Sequence, residues 1–248
     1  MAPCISIRGN TYETDLVIFD KDGTLLDFAG TWIGIFRDFF VILGQYVPVT
    51  PGLKERIESA LGIFVDENRI DGSGAIAMGT FAECNALLAY SLYREGLRWD
   101  SAQVIVEKAG RAAFNAEARK KHLKPAGGGI ELLKALKSRG ISTAVATNDK
   151  HADALVDMEY ISALPFIDLV VGADSVEHSK PAPDMVEKIC LELGKSAGRA
   201  VLIGDTVMDA MLGENSGVML TVGVSGIVPE KELGEHMNLV VSSLEEIA

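Results

Sequence analysis

Six short, mainly apolar runs are spread along this chain, and several stop abruptly at a polar residue. They are Leu16–Phe19, Ile141–Ala146, Ile167–Val171, Ala200–Ile203, Val218–Val224 and Leu239–Val241. Runs this short and this unbroken suit strands buried on both faces, the condition inside a parallel sheet. Segments with helical spacing lie between several of them. Ile130–Leu136 stops at Gly140, and Pro181–Leu193 is closed by Gly194, both in the place where a helix ends on glycine. Strands alternating with helices specify an α/β fold: a Rossmann-like parallel sheet core with helices on both faces.

Residues 28–124 follow another pattern. Trp32, Ile33, Phe36, Phe39, Phe40 and Leu43 form one broad apolar helix face. Thr50-Pro51 reads as an N-cap with proline at the first helical position. Thr80 and Glu83 fit a capping box, and Asp100 is placed to cap a further helix reaching Arg119. The reading is an all-helical domain over 28–124, inserted into a core made of 1–27 and 125–248. Trp32 and the phenylalanines read as its core, in preference to a substrate platform. Gly127-Gly128-Gly129, where the chain rejoins the sheet, reads as a turn or a hinge. Arg69 and Gly72-Ser73-Gly74 lie in a stretch that reads first as a solvent loop and second as a segment reaching a site.

The chain has 248 residues, 48% of them apolar, and a mean hydropathy of +0.21, which is enough for a buried core and excludes a disordered chain. No apolar stretch approaches the ~20 residues that span a bilayer, and the N-terminus lacks a signal pattern. Cys4, Cys84 and Cys190 are scattered and without metal-ligand spacing, so they read as reduced, buried small apolar residues of a cytoplasmic protein. A net charge of −12 argues against nucleic acid and anionic membranes as partners. It also means that an anionic substrate needs local positive potential from a metal, lysines or backbone N–H groups.

Ligands in open parallel sheets bind beyond the carboxyl ends of the strands. There the sequence repeatedly places polar side chains: Asp20 and Asp22 after one run, Thr147 and Asn148 after another, Asp205 and Asp209 after a third. Lys180 precedes a helix whose start Pro181 is expected to fix. Two carboxylates two positions apart need a cation, a shared proton or hydrogen bonds to offset their repulsion, and carboxylate oxygens suit Mg²⁺. Each element has an ordinary alternative: an acidic turn, a helix cap, a surface lysine. Their ordered recurrence at strand ends is what favours a site. His122, His151, His178 and His236 show no ligand spacing and read as surface residues.

The order resembles the haloacid dehalogenase superfamily. Asp20-Lys21-Asp22-Gly23-Thr24-Leu25 is similar to its first motif and Thr147-Asn148 to its second. Lys180 before Pro181-Ala182-Pro183-Asp184 is similar to the third, and Gly204-Asp205-Thr206-Val207-Met208-Asp209 to the fourth. The insert resembles the α-helical cap of phosphoglycolate-phosphatase-like members. The resemblance implies that Asp20 is a nucleophile forming an aspartyl-phosphate, and that Asp22 is the general acid and base. It implies that Mg²⁺ is held by Asp20, the Asp22 carbonyl and Asp205, with Asp209 a ligand or a support for the ligands. Thr147, Asn148 and Lys180 would bind the phosphoryl group, and Lys180 would also orient Asp20. Family dehalogenases lack the second motif-one Asp, phosphonate hydrolases carry alanine there and P-type ATPases threonine, so Asp22 points to phosphate esters.

Lys21 departs from the family, where an apolar residue is commoner. Strand alternation would turn it to the opposite side from its neighbours, so that it need not enter the site. Gly213 and Ser216 stand where alanine is frequent, with only packing consequences expected. The implied function is Mg²⁺-dependent hydrolysis of a small phosphorylated metabolite by a monomer or homodimer. The rivals are a sugar-phosphate mutase of the β-phosphoglucomutase type and a phospho-ligand binding protein without turnover.

Overall fold

The computed structural model describes residues 3–248. Along the chain come β1 (Cys4–Ile7), β2 (Asn10–Glu13) and β3 (Leu16–Phe19). The insert follows, with α1 (Phe28–Leu43), α2 (Pro51–Leu61), β4 (Ile63–Phe64), β5 (Arg69–Ile70), α3 (Ala75–Met78), α4 (Phe81–Arg94), α5 (Trp99–Ala113) and α6 (Ala116–Lys120). Then come α7 (Gly129–Ser138), β6 (Ser142–Ala146), α8 (His151–Tyr160), β7 (Leu169–Val171) and α9 (Asp184–Leu193). β8 (Ala200–Gly204), α10 (Val207–Ser216), β9 (Leu220–Val224), α11 (Glu230–Leu233) and β10 (Leu239–Val241) complete the chain. Two compact units result, one of residues up to Phe28 with Lys124–Ala248, the other of Ala29–Leu123.

The first unit is built on a six-stranded parallel sheet in the order β10-β9-β8-β3-β6-β7. All six expected runs supply its strands. β3 is wholly buried at its centre, paired with β6 on one side and β8 on the other. Leu16, Ile18, Ala144, Leu202, Met185, Ile189 and Leu212 form one buried cluster between strands and helices. Glycine allows α10 to sit close to β9, because a Cβ on Gly213 would lie 2.2 Å from Thr221 Cγ2.

Several local expectations need correction. α9 begins at Asp184 with Pro183 at its cap, so Pro181 lies outside the helix. α5 ends at Ala113, and a separate helix, α6, is capped by Asn115. Asp100 falls inside the first turn of α5 and pairs with Arg98 instead of capping the helix. The glycine run at 127–129 does form the expected turn at 127–128, and it leads straight into α7: Gly128 is the left-handed N-cap (φ 77°), and a Cβ there would lie 2.8 Å from the Glu245 nitrogen. Cys4, Cys84 and Cys190 are all free but only half-buried.

The β1–β2 hairpin carries no long apolar run to announce it. It buries Ile5 and Ile7 and is fixed by Ile7 pairing with Ile247, a partner far away in sequence.

The second unit is helical with one departure, the two-stranded β4–β5 hairpin. It forms because Gly62 ends α2 in a left-handed turn (φ 78°) and sends the chain straight into Ile63. Thr50 and Thr80 cap α2 and α4 as their spacing implies, Thr80 with a complete capping box. Phe39 stacks on Phe114 at 5.3 Å, and Trp32, Phe36 and Phe81 pack round the same ring, so the aromatic cluster is core. In the 72–74 stretch Gly74 serves packing too, since a Cβ on it would lie 2.9 Å from Gly62 Cα. Arg69 is spent on Glu67 and on the Phe64 ring at 3.8 Å.

Candidate active site

Sheet register brings the expected residues together. Phe19 is level with Ile203 on β8 and Val145 on β6, so the chain positions just beyond are Asp20, Gly204-Asp205 and Ala146-Thr147. Asp20 stays tied to β8 through its N–H, which donates to the Ile203 carbonyl at 2.8 Å. The chain then turns sharply: the Leu25 and Leu26 N–H groups both donate to the Lys21 carbonyl, and Gly23 N–H to Leu26. Gly23 has φ 88°, and a Cβ on it would lie 1.9 Å from Asp205 Oδ2, so only glycine leaves that carboxylate its place.

Lys180 is buried and donates to Asp20 Oδ1 at 2.5 Å and to Asp209 Oδ1 at 2.6 Å. Asp209 Oδ2 accepts from the Thr206 hydroxyl at 2.7 Å and its N–H at 3.1 Å, closing a capping box at the start of α10. Both Asp209 oxygens are therefore engaged, which suits a residue that orients Lys180. Asp205 differs: its buried Oδ1 has no hydrogen-bond partner among the described residues. Asp20, Asp205 and Asp209 each offer an oxygen, and these oxygens lie within 4.8 Å of one another.

Crowding of charge shifts the acids. Burial lifts the Asp20 carboxyl to about 7; Lys180 opposes this, while the charges of Asp209 and Asp22 add to it. Burial, then Asp20 and Asp209, hold Asp205 well above the carboxylate range. Burial pulls the Lys180 ammonium down, but Asp20 and Asp209 more than offset it and keep it protonated. A hard divalent cation would relieve this excess of buried carboxylate. The all-oxygen donor set, the partnerless Asp205 Oδ1 and the glycine that clears its place all fit such an ion.

On the β6 side, Thr147 is buried and its hydroxyl accepts from the Asp149 N–H at 3.2 Å. Asn148 Oδ1 is buried without a hydrogen-bond partner among the described residues. Three of the four histidines take structural partners, His151 the Val170 carbonyl, His178 Asp184 and His122 Asp38, and His236 is exposed.

One residue breaks the expectation. Lys21 does not turn away, because β3 ends at Phe19 and strand alternation no longer governs it. Its side chain is fully buried, with Nζ 2.5 Å from Asp22 Oδ2, 3.0 Å from Asp149 Oδ2 and 2.9 Å from Asp157 Oδ2. The available signal was a lysine between two acids at a strand end, with Asp149 and Asp157 eight apart on the segment after β6.

The model of the haloacid dehalogenase-like hydrolases matches residues 14–217, from the first motif through the fourth. The chain belongs to this family. Among curated hydrolases, it is 28% identical over 237 residues to the phosphoglycolate phosphatase of Caulobacter vibrioides, covering 93% of this chain and 88% of that one. It is 26% identical over 210 residues to the pyrophosphatase PpaX of Halalkalibacterium halodurans, covering 85% and 83%. A provisional β-phosphoglucomutase of Thermotoga maritima superposes with a TM-score of 0.68 at 22% identity, covering 94% of this chain and 96% of that one, a likeness of fold. This member of the family has no helix, among the described residues, long and apolar enough to cross a membrane.

Proposed function

We propose that this hydrolase is a Mg²⁺-dependent phosphatase of a small phosphate monoester, working through an aspartyl-phosphate. The observation that carries the reading is Asp20 held by the Lys180 ammonium beside a buried Asp205 oxygen that accepts no hydrogen bond from the described residues. Asp20, Asp205 and the Asp22 carbonyl would hold the cation, which when bound neutralises phosphoryl charge.

A carboxylate oxygen of Asp20 attacks phosphorus, and the bond from phosphorus to the ester oxygen breaks. The Asp22 carboxyl gives its proton to that oxygen, so the leaving group departs as an alcohol. Water then attacks the aspartyl-phosphate, its proton passes to the Asp22 carboxylate, and the bond to Asp20 breaks, releasing inorganic phosphate. Lys180, the Thr147 hydroxyl and the Asn148 backbone N–H hold phosphoryl oxygens and orient the in-line attack. The named relatives support this chemistry and widen the panel of substrates, since a diphosphate can use the same steps.

The test is phosphate release from a panel of small esters, phosphoglycolate and pyrophosphate included, with and without Mg²⁺. Mg²⁺-dependent release, abolished in a folded Asp20→Asn variant, is the expected result. Transfer of the phosphoryl group to a sugar hydroxyl would favour a mutase, and no release at all a binding protein.

A further inference from the structure

Lys21 is the one fully buried cation of the first motif that the proposed chemistry leaves unused. Its three carboxylate partners come from different places: Asp22 from its own turn, Asp149 from the loop after Thr147-Asn148, and Asp157 from the body of α8. Lys21 and Asp157 are each about 1% exposed, so this is an interior cluster and not a solvated pair. Burying an ammonium is unfavourable unless nearby carboxylates compensate it, and an apolar residue would pack here without that requirement. What the cluster does supply is a fixed connection. One ammonium clamps the nucleophile's turn to the phosphate-binding loop and to the helix behind it.

We propose that Lys21 is a positioning residue: it fixes the Asp22 carboxyl and locks the motif-one turn to the Thr147-Asn148 loop through Asp149 and Asp157. This rests on the phosphatase reading. Lys21 contacts neither phosphate nor cation; it acts through the side chain that delivers the proton to the ester oxygen. Its loss therefore matters in proportion to how much the leaving group needs that proton. An alkoxide is too basic to leave without it, whereas a nitrophenolate leaves readily without it.

The experiment compares kcat/KM for an alkyl phosphate, the best substrate of the panel, with kcat/KM for p-nitrophenyl phosphate. This constant reports steps up to leaving-group departure and excludes the later hydrolysis of the aspartyl-phosphate. The variants are Lys21→Met and the charge-rebalanced Lys21→Met/Asp157→Asn, each checked for folding by circular dichroism. Either folded variant should lose about 100-fold on the alkyl ester, the ordinary contribution of a general acid, and less than about 5-fold on the nitrophenyl ester. Lys21→Met should add nothing further to the alkyl-ester loss in an Asp22→Asn background.

Equal losses on both esters, or additive losses with Asp22→Asn, would overturn the assignment while leaving the phosphatase reading intact. So would failure of both variants to fold beside a folded Asp22→Asn, since the cluster would then be structural only. A wild-type protein inactive on both esters would instead refute the phosphatase reading itself.

Discussion

Replacing Gly23 with alanine separates the strain of the motif-one turn from the placement of Asp205. Gly23 sits at φ 88°, where an L-residue costs about 1–2 kcal/mol. The new Cβ would also lie 1.9 Å from Asp205 Oδ2 and 2.4 Å from its Cγ. Ordinary contact between such atoms begins near 3.5 Å, so the carboxylate must retreat by roughly 1.5 Å. Misplacing a catalytic group by about 1 Å is enough to cost ~100-fold in rate. Gly9 supplies the control: it has φ 82° but nothing within 4 Å of its would-be Cβ. Gly23→Ala and Gly9→Ala should both be destabilised, by about 1–2 kcal/mol from the backbone alone, as read by thermal melts. Only Gly23→Ala should lose about 100-fold or more in kcat/KM for phosphate release and require more Mg²⁺. A folded Gly23→Ala with kcat/KM and metal requirement close to Gly9→Ala would refute the steric link between Gly23 and Asp205.

Three further outcomes follow from the same geometry. Lys180→Met removes the donor to both Asp20 and Asp209, so kcat should fall and KM rise together, with kcat/KM down about 100-fold or more; unchanged steady-state kinetics would place Lys180 outside the site. Burial holds the Asp20 carboxyl at about 7, so Mg²⁺ binding just below that pH should displace a proton, and metal affinity should rise as pH rises through 7; calorimetry in buffers of different ionisation enthalpy reads this directly, and zero proton release would contradict it. Thr80→Ala breaks the capping box of α4 and should lower stability by about 1 kcal/mol, visible as a lower melting temperature; an unchanged melt would show that the cap contributes nothing.

The parallel sheet was legible because each of its strands is a short apolar run, and the helix caps at Thr50 and Thr80 because their spacing is local. That the candidate residues would meet was legible for a related reason. Once β3 is flanked by β6 and β8, register alone brings the ends of three apolar runs together. What escaped depends on distant or three-dimensional partners. The β1–β2 hairpin is pinned by Ile247, and the β4–β5 hairpin is only two residues a strand. α9 begins at Asp184 and not at Pro181 because its N-cap is the second proline of the pair, Pro183. Strand alternation does not reach Lys21, because β3 ends at Phe19 and the turn that follows buries the side chain beside Asp22.

Under the proposed mechanism Asp20 becomes covalently phosphorylated during turnover. Protein quenched in acid during turnover of a ³²P-labelled ester should carry label that hydroxylamine removes, as an acyl phosphate requires. Proteolysis should place that label on the peptide containing Asp20. Phosphate release with no protein-bound label under rapid quench, or label on any other residue, would contradict the account.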